Sequence, residues 1–526
     1  MSAATLLSRL TGFARTWAMA VTLGLATTAT GSIPIASSFN ISNNIPNMIY
    51  ELLAGGLLSS MLVPIFLEKL RSDGQEQAFR FVSTLFSIAL VGLGVVALVG
   101  TFFPEPFVRS QTFLSSPAQT ELAIYLFRFF AVQIVFYGCC AITTGVLNSY
   151  RKFFAPAIAP VFNNIVVIIV LLGVYAPLHV THPEIAIVAL GVGTTLGVVA
   201  LLAFQLPPLF RLGYRFHWSW DMQDPQMRKM IRKTIPVLFY VVINMVQVSF
   251  RNAFATRAFP DGSAALMYAW LWYQLPYGVL AVAYITAVFP EMSDLAGRRE
   301  WSRYKAVFSR GLRVMGLLIL PFSALIVALA TPLVSLYRAG QFGGGAVETV
   351  APLVQLWAIG LVAWCSFMLT LRAFHAMQDS LTPAVVNVVL TVGQIALYWY
   401  FTGPGRLGLA GIPLADTIFA FSIWITLLVI LRRRRGAFAG GAVVWSLVRV
   451  AVASVVGGAA AWWVSTSLAP HVGSGILPSF AQVVAGGIIG LGVAYGACAL
   501  MRVGEMREAG AMVGRVVGRF GRGAAS

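Results

Sequence analysis

The sequence predicts an all-α integral membrane protein of about fourteen spans, and three observations carry that prediction. Of its 526 residues 58% are apolar and only 10% are charged, whereas a soluble domain carries roughly 25% charged residues. Apolar runs near the ~20 residues that a helix needs to cross the hydrocarbon core recur along the whole chain. These runs are continuous and lack the alternation of barrel strands. Backbone groups in lipid must pair among themselves, which leaves helices.

In order, the expected spans cover roughly 4–26, 34–66, 79–103, 120–148, 155–176, 184–209, 233–258, 263–292, 304–332, 348–376, 382–402, 408–431, 443–466 and 478–501. The second and eighth are long and hold Pro46 and Pro276, so each is expected to bend or break. The first run carries arginines and lacks a small-residue cleavage site, so no cleavable signal peptide is expected. Cys139, Cys140, Cys365 and Cys498 all lie in apolar runs without a CxxC pair and read as small core residues.

The net charge of +18 first suggests nucleic acid as a partner, but its location excludes that reading. Basic residues gather in every second loop: Lys69 and Arg71, Arg151 and Lys152, Arg228 to Lys233, Arg298 and Arg299, the run Arg432 to Arg435, and the tail after Met501. The alternate loops hold only Arg109, Arg257, Arg338 and Arg406. That asymmetry sets topology, and with an even number of spans it puts both termini in the cytoplasm of a multi-pass cell-membrane protein.

The sequence also repeats itself weakly. Pro64 in "MLVPIFLEKLRSDGQE" and Pro290 in "AVFPEMSDLAGRRE" lie 226 positions apart, and Pro156 and Pro383 lie 227 apart after similar inter-span stretches. The matching offsets suggest a duplication of six spans, two lobes related by a pseudo-twofold along the membrane normal. The expected division is residues 1–210 for the N-lobe, 211–435 for the C-lobe, 436–502 for two extra spans and 503–526 for a basic cytoplasmic tail.

No Walker A loop, HExxH, nucleophile elbow or metal-spaced His/Cys cluster is present in the sequence, so the chain is expected to be a transporter rather than an enzyme, without a bound cofactor or an ATPase site of its own. What remains are polar groups at membrane depth, which are costly and by default functional. Arg9 and Arg15 in "LLSRLTGFARTW" lie ~120° apart on the first span, and two guanidinium groups can hold a phosphate or pyrophosphate by bidentate contacts. The competing reading is snorkelling to the headgroups. In the second span Asn40, Asn43 and Asn47 share a helical stripe that Glu51 continues; it reads as a wall of a hydrated cavity, against helix–helix hydrogen bonding as the plainer role. Arg251 joins Asn244 and Gln247 on one face of the seventh span, and Gln274 follows the aromatic group Trp270, Trp272 and Tyr273 in the eighth. Together these give the candidate substrate-binding set Arg9, Arg15, Asn40, Asn43, Asn47, Glu51, Arg251 and Gln274. Asp379, Asn387 and Asp416 are the candidates for sodium or proton coupling, with a buried internal partner as the competing role for Asp416.

The blocks "SRLTGFARTW", "NNIPNMIYELLAGGLLSSMLVPIF", "GVLNSYRKFFAPAIAPVFNNI", "YQLPYGVLAVAYITAVFPEMS" and "LRAFHAMQDSLTP" together resemble the MurJ (MviN) lipid II flippase family, in its actinobacterial branch. They run in the family's order over about the first 430 residues. The resemblance implies the fold of the multidrug/oligosaccharidyl-lipid/polysaccharide exporter superfamily: two six-helix lobes working by alternating access, plus two helices forming a groove for a lipid tail. It implies lipid II as substrate, an undecaprenyl pyrophosphate bearing a disaccharide-pentapeptide, with membrane lipids and cell-wall synthesis proteins as neighbours. It also carries the binding role of the family's span-one arginines onto Arg9 and Arg15.

The chain departs from the family pattern at several charged positions. Thr16 and Ser37 stand where acidic residues are common, Tyr50 and Gly55 where an arginine and an acidic residue are common, Glu51 in place of a neighbouring basic residue, and Trp270 and Leu271 where the family has an Asp-Arg pair. The cavity is thus less charged, with Arg251 as a candidate substitute. Export of a drug or another lipid-linked glycan, and a non-transporting cell-wall scaffold, are the alternatives.

Overall fold

The structure, a computed structural model, describes residues 2–25, 34–51, 62–436, 440–473 and 475–506. Among these residues every regular element is a helix. By internal contacts the chain forms two compact units, Met1–Ala264 with Gly340–Phe342, and Ala265–Ala339 with Gly343–Ser526.

The first unit contains α1 (Ser2–Leu23), α2 (Ile35–Glu51), α3 (Val63–Ser72), α4 (Gly74–Phe102), α5 (Glu105–Thr112), α6 (Pro117–Phe130), α7 (Gln133–Ser149), α8 (Phe154–Ile169), α9 (Ala176–Thr181), α10 (Pro183–Phe210) and α11 (Pro225–Ala258). Local chemistry sets several of the starts. Ser116 accepts from the Gln119 amide ahead of Pro117, and Asp224 accepts from the Gln226 amide ahead of Pro225. Each pairs a capping oxygen with a proline at the first helical position, where its missing N–H costs nothing. In this unit α1 packs on α8, α2 on α6 and α7, and α10 on α7 and α8.

α12 (Gly262–Pro276) begins in the first unit and runs into the second, which continues with α13 (Val282–Gly297), α14 (Trp301–Ala328), α15 (Ala330–Ser335), α16 (Gly344–Ala376), α17 (Leu381–Phe401), α18 (Gly411–Arg435), α19 (Gly440–Val472) and α20 (Ile476–Leu500). Here α16 packs on α14 and α18, while α19 packs on α14 and α20. The sequence boundary expected at residue 210 differs from the compactness boundary at Ala264. The reason is that α11 is tied to the first unit by hydrogen bonds from Asn252 to Gln111 (2.7 Å) and between Thr256 and Ser115 (2.7 Å).

Helix ends repeat along with the sequence. Arg151 and Gln378, 227 positions apart, both take left-handed backbone angles (φ 58° and 61°) just past α7 and α16. The amides of Lys152 and Asp379 then close back on the carbonyls of Leu147 and Phe374 at 2.8 and 3.0 Å, which satisfies carbonyls that the helix leaves open. Gly74 after α3 and Arg299 after α13 are left-handed as well.

Among the described residues ten helices are long and apolar enough to cross a membrane, or eleven if α6 and α7, bent by 45°, form one span. The first, second and seventh expected spans fall on α1, α2 and α11, which are helical. Arg9 and Arg15 lower the apolarity of α1, α2 is described only as far as Glu51, and several side chains of α11 lie outside the described residues. The described residues therefore leave the expected count of fourteen open. Pro276 does not break the eighth span: a π-helical turn over Tyr277–Ala281 links α12 to α13, an adjustment that absorbs the lost amide. In the second span Pro46 sits inside α2, and residues 52–61 lie outside the described residues.

Candidate functional site

In the first unit α1 is set against α8 by a polar contact. Asn164 donates to the Thr11 hydroxyl at 3.1 Å, and a Cβ at Gly12 would meet the same amide at 3.7 Å. With that face occupied, Arg9 is exposed near the start of α1 and Arg15, nearly two turns on, is half-buried. Thr16 turns inward on its own helix, donating to the Gly12 carbonyl.

Arg15 interacts electrostatically with the phenol of Tyr137 on α7. That phenol donates to Asn47 Oδ1 at 2.7 Å, and Asn47 Nδ2 donates in turn to the Asn43 carbonyl at 2.8 Å. Tyr50 stacks on Tyr137 with ring centroids 4.7 Å apart. Arg15, Asn47 and Tyr137 therefore form one cluster, linked by the electrostatic interaction of Arg15 with the phenol and by the phenol's hydrogen bond to Asn47. A guanidinium in such surroundings is suited to an anionic oxygen that brings its own charge into low dielectric.

The asparagine stripe divides. Asn43 is buried, and its Oδ1 has no hydrogen-bond partner among the described residues. Asn40 instead donates to Ser263, to the hydroxyl at 2.9 Å and the carbonyl at 3.2 Å. Ser263 donates to Asn252 and Asn252 to Gln111, so Asn40 belongs to a chain joining α2, α5, α11 and the start of α12. Nearby, the Ser37 amide donates to Asp261 at 2.9 Å. Arg251, Asn244 and Gln247 are half-buried along α11. The side chain of Glu51, with Gly55, Gly56 and the tail beyond Met506, lies outside the described residues.

In the second unit Gln274 is exposed on α12. Trp270 stacks on Tyr273 (4.7 Å) and meets Trp357 edge-on (5.3 Å). Trp357 donates to Asp416 Oδ2 at 2.9 Å, while Gln394 (2.7 Å) and Tyr398 donate to Oδ1. Asp416 thus ties α16 and α17 to α18. Asn387, Thr391, Gln394 and Tyr398 share one face of α17 at helical spacing, and Thr391 contacts Asn387 at 3.4 Å. A polar stripe therefore leads from Asn387 to Asp416. Asp379 lies at the head of α17, where it accepts from Thr382 and pairs with Arg434 at 2.5 Å. Among the described residues no group of three or more His, Cys, Asp or Glu side chains is placed to hold a metal.

Tyr137, Trp357, Gln394 and Tyr398 were not among the sequence candidates. The α17 stripe carries a signal, since its polar groups recur at i, i+4, i+7 and i+11. Tyr137 carries only the general rule that a buried phenol needs a partner.

A family profile described as "Lipid II flippase MurJ" matches residues 26–480. A lipid II flippase MurJ of Burkholderia cenocepacia is 30% identical over 419 residues, 78% of each chain. A probable lipid II flippase MurJ of Vibrio cholerae is 26% identical over 523 residues, covering 96% of this chain and 95% of that one. A solved lipid II flippase MurJ in an inward closed conformation superposes with TM-score 0.77 at 19% identity, covering 95% of this chain and 99% of that chain. An inward-facing multidrug resistance MATE family transporter of the MOP superfamily gives 0.64 at 15% identity, covering 83% and 94%. These last two likenesses concern the fold.

Proposed function

The chain belongs to the lipid II flippase MurJ family, and from that premise we propose that it translocates lipid II from the cytoplasmic to the outer leaflet of the cell membrane by alternating access. The observation that supports the reading at the level of residues is the half-buried Arg15 of α1, which acts electrostatically on Tyr137 while that phenol donates to Asn47. The pyrophosphate of the headgroup binds Arg15, with Arg9 at the inner end of α1 as the first contact. Asn43, Glu51, Arg251 and Gln274 flank the sugars and peptide, and Asn40 holds the wall from behind.

In this reading the two lobes are residues 1–210 and 211–435, and residues 436–502 guide the polyprenyl tail. Both termini lie in the cytoplasm, as the loop charges require. The chain has no ATPase site of its own. Membrane potential drives the step, at about 2.3 kcal/mol for each charge moved across 100 mV, with sodium or proton coupling through Asp379, Asn387 and Asp416. Cell-wall synthesis enzymes are its neighbours.

The test is depletion of the protein followed by an assay of the leaflet in which lipid II resides. The expected result is accumulation on the cytoplasmic face, rescued by wild type and not by the Arg9→Ala/Arg15→Ala double variant. An unchanged distribution overturns the reading and leaves export of drugs or other lipid-linked glycans, or a scaffold role, to be assayed.

A further inference from the structure

Between α10 and α11 the chain runs without helix over residues 214–221, and it is strapped to one face of α4. Ser83 shares hydrogen bonds with the Tyr214 hydroxyl (3.1 Å) and His217 Nδ1 (3.3 Å). Thr84 donates to the Ser219 hydroxyl at 2.8 Å, and the Ser219 amide donates to Ser87 at 3.2 Å. Tyr214 is buried against Phe79 and Phe86, at 5.5 and 5.8 Å between centroids. The inner side of the segment is therefore fixed, and its other large side chains are turned out: Phe216, Trp218 (62% exposed), Trp220 (55%) and Met222.

The face of α4 that the segment covers decides what those rings meet. Thr84 and Ser87 lie on one helical stripe with Val91, Val95, Leu98 and Phe102, and these four are exposed, from 42% at Val91 to 70% at Phe102. An exposed aliphatic stripe on a membrane span faces acyl chains. Ser87 lies about 6 Å along the axis from Val91, so the segment sits where that stripe ends, at the height of the bilayer interface. Tryptophan favours that depth because its ring is apolar and its N–H finds water and headgroups. Arg211 and Arg215 are exposed at the same end. Arg80, His217, Trp218 and Trp220, with Glu76 and Asp221, line an open groove of about 820 Å³.

We propose that residues 214–222 form an interfacial strap that seats Phe216, Trp218 and Trp220 in the headgroup layer of the bilayer, with Arg80 and Arg215 at the lipid phosphates. The strap fixes the depth of α4, and with it the height of the first unit in the membrane. In the orientation proposed above this is the cytoplasmic leaflet, but the strap itself needs only that α4 spans.

The test uses the full-length protein in nanodiscs of phosphatidylethanolamine and phosphatidylglycerol. Tryptophan emission is compared for wild type and Trp218→Phe/Trp220→Phe, in plain lipid and in lipid brominated high on the acyl chain. The difference spectrum isolates the two indoles. The expected result is that it is blue-shifted, quenched by the brominated lipid and protected from aqueous iodide. A red-shifted difference spectrum, quenched by iodide and indifferent to bromine, overturns the proposal and marks the face as water-exposed, the signature of a protein-docking surface instead. Ser83→Ala/Thr84→Ala/Ser87→Ala/Tyr214→Ala keeps both indoles and removes the hydrogen bonds and the buried ring that hold the segment on α4; it is expected to lose the bromine quenching with helix content unchanged. Full quenching in that variant would mean that the grip on α4 does not place the rings, and would overturn the strap.

Discussion

The phenol of Tyr137 on α7 donates a 2.7 Å hydrogen bond to Asn47 on α2, and Tyr50 of α2 stacks on the same ring at 4.7 Å between centroids, so one tyrosine joins the two helices. Tyr137→Phe leaves the half-buried Asn47 Oδ1 without its donor, which costs about 0.5–1.5 kcal/mol, the net worth of an ordinary hydrogen bond. In a double-mutant cycle with Asn47→Ala the two losses are expected to be non-additive by about 0.5–3 kcal/mol. Thermal unfolding of the four proteins measures it, and additive losses would separate the pair.

Asp416 accepts from Trp357, Gln394 and Tyr398, so both of its oxygens face donors. Asp416→Asn keeps the volume but turns an amide N–H₂ toward at least one of them. Charge-assisted hydrogen bonds contribute about 1.5–3 kcal/mol each, so a loss of that order in unfolding free energy is expected. If Asp416 also takes part in coupling, the same variant abolishes the sodium or pH dependence of flipping in proteoliposomes. A variant with wild-type stability and wild-type ion dependence would remove Asp416 from both roles.

Much of this was legible in the sequence because lipid imposes few choices. The helices and the duplicated loop signals follow from hydropathy, proline spacing and charge. The repeat even extends to left-handed backbone at Arg151 and Gln378, which neither residue type announces. The site was legible less evenly. The stripe through Asn40, Asn43 and Asn47 reads as one surface, yet Asn40 turns to Ser263 and Asn47 to Tyr137. Helical spacing places residues on a face but does not say which neighbour arrives there. Likewise nothing local in "VFYGCC" marks Tyr137, because its partner is ninety positions away.

The contact between α19 and α20 rests on missing side chains. A Cβ at Gly457 would lie 2.5 Å from the Gly490 carbonyl oxygen and 2.6 Å from Ala494 Cβ. The close approach is the packing device of membrane helices, where small residues let backbones touch. Gly457→Ala must push the helices apart and is expected to cost about 1–3 kcal/mol. Gly487→Ala on α20 meets nothing within 4 Å and is expected to be neutral or to gain up to about 1 kcal/mol of helix propensity. Unfolding in detergent compares the two, and equal effects would sink the packing argument.

Acid should weaken the first unit through Asp224. Burial alone would raise its carboxyl, but the 2.5 Å bond from Lys69 and the amides of Gln226 and Met227 outweigh that and hold it below its ordinary 3.8. A carboxylate depressed on folding stabilises the fold above its unfolded value, and that stabilisation is lost as pH falls through the folded value. Asp379, held down by Thr382 and Arg434 against its own burial, behaves likewise in the second unit. Between about pH 5 and pH 2 the wild type should therefore lose more thermal stability than Asp224→Asn/Asp379→Asn, whose amides do not titrate. At pH 7 wild type is expected to melt above the double variant, which lacks both charged pairs, and the gap narrows as pH falls. Melting curves that run parallel across this range would show that neither pair contributes to the fold.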